Sequence, residues 1–127
     1  LEISINDIGK SYSKFYQGVV LYMAKKSLEP LTEPMFYILL CFHRSDMCGT
    51  EISSYVNDLT DGRVKLGPGT LYSLLSLFQA EDLIKKLPPD GRRISYSITE
   101  RGEQLYQDEI RRLEACLSDA RRCSYER

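Results

Sequence analysis

Between Leu83 and Thr99 the spacing of apolar residues leaves the helical repeat that dominates the rest of the chain. Ile94, Tyr96 and Ile98 alternate with Arg93, Ser95 and Ser97, the two-residue period of a strand with one buried face. Pro88-Pro89-Asp90-Gly91 is a turn signal just ahead of it, and Leu83 to Leu87 supplies a partner strand. The chain is therefore expected to be mainly α with one small β-hairpin, and that hairpin has to be seated among helices.

The helices on its N-terminal side are well punctuated. In Leu31 to Arg44, Thr32 can cap a helix with Glu33 and Pro34 in the first turn, and Met35 to Phe42 is apolar on every side, which predicts a central core helix. Gly49 ends the connection that follows, and Thr50 or Cys48 precedes a helix lined by Ile52, Tyr55, Val56 and Leu59 until Asp61-Gly62 breaks it. Gly67, Pro68 and Gly69 then start another, in which Leu71, Leu74, Leu75 and Phe78 fall on one face. Two short helices joined by a tight glycine-containing turn fit the helix-turn-helix unit, whose second helix enters the DNA major groove by its N-terminal end. A hairpin tipped by Arg92 and Arg93 after such a unit is a wing, so the order of elements is that of a winged helix.

Helical spacing resumes at Thr99. Tyr106, Ile110, Leu113, Leu117 and Ala120 step by four, three, four and three, the narrow seam of a two-stranded coil. The seam packs on its own domain or on a second copy; the helix reaches about 35 Å, longer than a small domain can cover, and this favours dimerisation. Upstream, Tyr12, Phe15, Tyr16, Val19, Tyr22 and Met23 form an apolar stripe over Ser11 to Lys26. It reads as an extra packing helix bracing the long C-terminal one, with membrane-surface or DNA-touching roles as alternatives. The expected organisation is an N-terminal extension over 1–30, a winged helix-turn-helix over 31–98 and a dimerisation helix over 99–127.

Composition narrows the function. The 127 residues are 43% hydrophobic and 28% charged, a globular composition that can bury a core without disulfides or metals. Met35 to Phe42, the longest apolar run, is too short to cross a bilayer, and Val19 to Ala24 is too short for a signal-peptide core, so a cytoplasmic protein with no membrane association is expected. Cys41, Cys48, Cys116 and Cys123 form no Cys-x-x-Cys pair and His43 is the sole histidine; buried reduced thiols are expected rather than a metal site. Cys116 and Cys123 lie one heptad apart on one helix. Gly9-Lys10-Ser11 has Ser4 where a phosphate-binding loop needs glycine, and Gly67-x-Gly69 is followed by Tyr72 where a dinucleotide fingerprint needs its third. No enzyme, no cofactor and no catalytic residue is expected.

Three stretches in order carry a family resemblance. LTEPMFYILL resembles the opening helix of the PadR family of bacterial transcriptional regulators. GRVKLGPGTLYSLLSLFQAEDLI is similar to that family's Gly-Thr-Leu-Tyr signature at the start of its recognition helix, and RRISYSITERG to its wing strand and the Thr-Glu-x-Gly opening of its C-terminal helix. The resemblance spans Leu31 to about Arg122. It implies a homodimeric winged-helix repressor whose C-terminal helix crosses to the partner subunit, commonly relieved by a small-molecule effector; a hydrophobic or aromatic one is expected here. Cys48-Gly49-Thr50-Glu51 stands where the family has His-Gly-Tyr-Glu, and Gly67 where a capping Ser is common.

On this reading double-stranded operator DNA meets Lys65, Gly69, Thr70, Tyr72, Ser73, Arg92 and Arg93. Glycines at the helix start allow close approach and leave backbone N–H groups facing a phosphate. The hydroxyls of Thr70, Tyr72 and Ser73 reach phosphate or base edges, and Lys65 with the two wing arginines supplies positive charge. The formal net charge of −1 is unusual for a nucleic-acid binder, but it is unevenly spread. Glu29 to Thr60 carries five acids against Arg44, whereas Asp61 to Tyr96 carries six bases against four acids. Affinity should therefore be moderate and salt-sensitive. The competing reading, favoured by that low charge and by Thr50, is a winged helix that serves as a protein-interaction or signalling module without DNA binding.

Overall fold

The computed structural model describes Leu28 and residues 30–125, of which everything from Leu31 onward belongs to one compact unit. The helix expected over Ser11 to Lys26, and the bracing role assigned to it, lie outside the described residues. Within the unit the order is α1 (Glu33–Arg44), β1 (Met47–Cys48), α2 (Gly49–Leu59), α3 (Pro68–Ala80), β2 (Ile84–Lys86), β3 (Ser95–Ile98) and α4 (Glu100–Tyr125).

The start of α1 follows its capping chemistry: Thr32 is extended and its hydroxyl accepts from the Met35 N–H at 3.4 Å. Ile38, Leu39, Cys41 and Phe42 are fully enclosed at the centre, joined by Ile52 and Val56 from α2 and Leu71, Leu75 and Phe78 from α3. Burial pushes the Cys41 thiol up to about 12, against a smaller opposing pull from Arg44, so it remains a protonated, inert core group. Cys48 is buried as well, whereas Cys116 and Cys123 stand exposed on α4, contrary to the expectation of buried thiols.

Two features depart from the spacing argument. The connection between α2 and α3 runs from Thr60 to Gly67, longer than a tight turn. It bends back through Asp61 and Gly62, both at positive φ (51° and 76°), and is then secured by buried Val64 and Leu66. The wing is part of a three-stranded antiparallel sheet in the order β1-β3-β2, in which Met47 pairs with Tyr96 and Cys48 with Ser95. All four residues of β3, the central strand, are half-buried instead of alternating.

The long helix is attached at its beginning. The Thr99 N–H donates to Leu83 O (3.0 Å), its hydroxyl donates to Asp82 O (2.6 Å), and it accepts from the Gly102 N–H (3.0 Å). One turn on, Tyr106 is buried, its ring stacked between Phe36 (5.6 Å) and His43 (4.8 Å) of its own chain. Within one chain this residue, expected at the start of the intersubunit seam, packs against α1. Ile110 is half-buried, and every described residue beyond it is exposed.

Candidate nucleic-acid interface

Gly67 is the N-cap of α3 and Pro68 its first residue; the Leu71 N–H closes the first turn on Gly67 O at 2.9 Å. Pro68 has no N–H to leave unpaired, and its fixed φ suits that position. Space is open around Gly67 and Gly69: apart from the adjoining backbone, no heavy atom lies within 4 Å of where a Cβ would stand on either. A backbone or phosphate can therefore come close to this helix start. Leu71, Leu75 and Phe78 hold the helix to the core, Leu74 is half-buried, and Thr70, Tyr72, Ser73 and Ser76 face solvent.

All seven residues assigned to DNA from the sequence (Lys65, Gly69, Thr70, Tyr72, Ser73, Arg92 and Arg93) are exposed. The structure brings three of them together: Tyr72, Arg92 and Arg93 line one cleft with Cys48, Gly49 and Tyr96, of ≈ 580 Å³. Lys65 is placed differently, its stem folded over the Gly62 turn. Tyr72 is 52% exposed, yet its ring is not free. It rests on Gly49, where an added Cβ would stand 2.9 Å from the Tyr72 hydroxyl and 3.1 Å from Cε1.

The two wing arginines are unequal. The turn closes between Asp90 and Arg93, whose backbones exchange hydrogen bonds of 3.1 and 3.0 Å, with Gly91 at φ 62°. Arg92 sits at the tip and makes no ion pair among the described residues. Arg93 pairs with Glu51 near the start of α2, and the other carboxylate oxygen of Glu51 accepts the Cys48 N–H at 3.0 Å. Sequence reasoning gave Gly49 only the role of ending a connection and placed neither Gly49 nor Glu51 at the site. The spacing Cys48-x-x-Glu51, a glutamate three residues after a helix cap, was a signal for the latter. Lys85 and Lys86 on β2 add exposed positive charge near the wing. Among the described residues no group of three or more histidine, cysteine or acidic side chains could hold a metal, and no helix is long and apolar enough to cross a membrane.

The chain resembles known proteins in sequence and in fold. The Transcriptional regulator PadR-like family matches residues 38–108, more than half of the chain. A transcriptional regulator from Clostridium thermocellum is similar at 26% identity, over 69% of this chain and 89% of that one, with a TM-score of 0.63. A PadR family transcription regulator from Clostridium difficile shares the fold at 21% identity over 73% of this chain and 97% of that one (TM-score 0.57). Bacillus subtilis PadR, solved in complex with operator DNA, shares it at 19% identity over 62% of this chain and 47% of that one (TM-score 0.56). No curated protein matches the sequence significantly.

Proposed function

The chain belongs to the PadR-like family of transcriptional regulators, and from that premise we propose that it is a cytoplasmic repressor which binds operator DNA as a homodimer. As a member of that family it regulates transcription and is not an enzyme. The observation that carries the DNA reading is the open, glycine-lined start of α3 beside a cleft shared by Tyr72 and the wing arginines. Phosphate contacts set position, and groups on the recognition helix read the base edges. Dimerisation draws support from the exposed Leu113 and Leu117. A hydrophobic effector would act beside half-buried Phe36 and Tyr37 on α1, where a bound aromatic ring bears on Tyr106 and so on α4.

The test is fluorescence anisotropy with DNA from the protein's own promoter, repeated across a salt series. The parent should bind with a Kd that rises steeply with salt. Binding that is absent at low salt would favour the protein-interaction reading, to which the net charge of −1 already lends support.

Tyr72→Ala should weaken operator binding by about ten- to a hundredfold, the scale of a single base-edge interaction, with an unchanged melting curve. Gly49→Ala should do much the same by another route. Its methyl group displaces the Tyr72 ring, while alanine in place of glycine in a helix is neutral or stabilising. Unfolding of Tyr72→Ala would make that ring a core residue; unaltered binding by Gly49→Ala would show that the ring's seat is immaterial.

A further inference from the structure

The start of α2 and the wing are tied twice. The first tie is the backbone ladder, in which Cys48 pairs with Ser95. The second is Glu51, which uses one oxygen on the Cys48 N–H and the other on Arg93. We infer that Glu51 and Arg93 are positioning residues that set the pitch of the wing against the helix-turn-helix, so that Arg92 alone delivers the wing's phosphate contact. The inference rests on the DNA-binding reading above.

Three observations carry it. The Glu51 carboxylate is oriented before Arg93 arrives, because the helix start already holds it through the Cys48 N–H. An ion pair with one partner fixed in advance gives up less side-chain entropy than one between two mobile chains. Arg93 is equally constrained at its backbone by the paired bonds to Asp90, which place it at the base of the turn and Arg92 at the tip. Finally, Arg93 is neutralised where it stands. Its charge is matched by Glu51, leaving Arg92 as the wing-tip arginine without an ion pair among the described residues.

Both members of the pair are about half exposed, so its loss should leave global stability little changed. Glu51→Gln keeps an oxygen for the Cys48 N–H, glutamine being the other residue suited to that position, and removes only the charge that holds Arg93.

The experiment measures promoter-DNA affinity against salt for the full chain and for Arg92→Ala, Arg93→Gln, Glu51→Gln and the double variant. Arg92→Ala should reduce the log–log salt slope by about 0.9 for each bound subunit, as expected when one phosphate is no longer neutralised. Arg93→Gln and Glu51→Gln should each weaken binding about two- to fivefold with the slope unchanged, and the double variant should be no weaker than either alone. The inference is overturned if Arg93→Gln cuts the slope as Arg92→Ala does while Glu51→Gln tightens binding. In that case Arg93 leaves Glu51 for a phosphate. Amide hydrogen exchange without DNA provides a separate reading: Glu51→Gln should speed exchange of the Arg93 N–H, and an unchanged rate also overturns the inference. A parent chain that binds no DNA at any salt removes the reading beneath it, a result that the exchange rates cannot imitate.

Discussion

Leu113→Glu combined with Leu117→Glu should convert the protein to monomers in sedimentation at micromolar concentration, with operator affinity falling in step. The α4 helix has 26 residues, about 39 Å of length, and only its first part is seated. Gly102, Tyr106 and Glu109 are its buried residues; Leu113 and Leu117 are 41% and 52% exposed within one chain. Two leucines one turn apart, on the stretch of α4 where every described residue is exposed, form a narrow apolar strip, and among the described residues nothing in the chain covers it. Covering four such half-exposed side chains per dimer contributes about 4 kcal/mol toward association. Four glutamates in the same seam would remove that gain and add like charges to a desolvated contact. Sedimentation identical to the parent's would show that another surface joins the subunits.

The second large effect concerns stability. Gly102→Ala should lower stability by about 2–3 kcal/mol and the melting temperature by about 10–20 °C. Gly102 lies where the first turn of α4 crosses the entry to β2. A Cβ there would collide with the carbonyl oxygen of Leu83 and stand 2.9 Å from Ile98 Cγ1. The Leu83 carbonyl cannot retreat easily, because it also accepts the N–H of Thr99, whose hydroxyl caps the helix. Gly69→Ala is the control: space around Gly69 is open, so this variant should melt at or slightly above the parent temperature. Calorimetric melts of the two variants side by side decide the matter, and equal melting would mean that the helix can shift to make room for the methyl group.

The same pair shows how far the sequence could be read. Both glycines stand in stretches that resemble family signatures, and their spacing marks helix starts equally well. Nothing local distinguishes a glycine kept for an opening from one kept for a close crossing, since the carbonyl that approaches Gly102 belongs to Leu83, in another element. Tyr106 follows the same logic. Its spacing with Ile110 and Leu113 places all three along one helix face, yet the ring belongs to Phe36 and His43 while the leucines remain exposed. A repeat defines a face and is silent about what covers it.

What the sequence determined by itself was the order of the helices and the hairpin, and the core-facing side of the helices that precede the hairpin. Thr32, the Asp61-Gly62 break, the Gly67-Pro68-Gly69 start and the Pro88 to Gly91 turn act over a few residues, where backbone and capping energies are decided locally. The order helix, helix, helix, hairpin, helix followed from these, as did the outward position of Tyr72 and Arg92. Tertiary structure alone decided the partners. It added β1 to the sheet, set Tyr72 on Gly49, turned Tyr106 inward and tied Arg93 to Glu51. Each of those contacts joins residues distant in sequence, and its free energy exists only once the core has fixed the path of the chain between them.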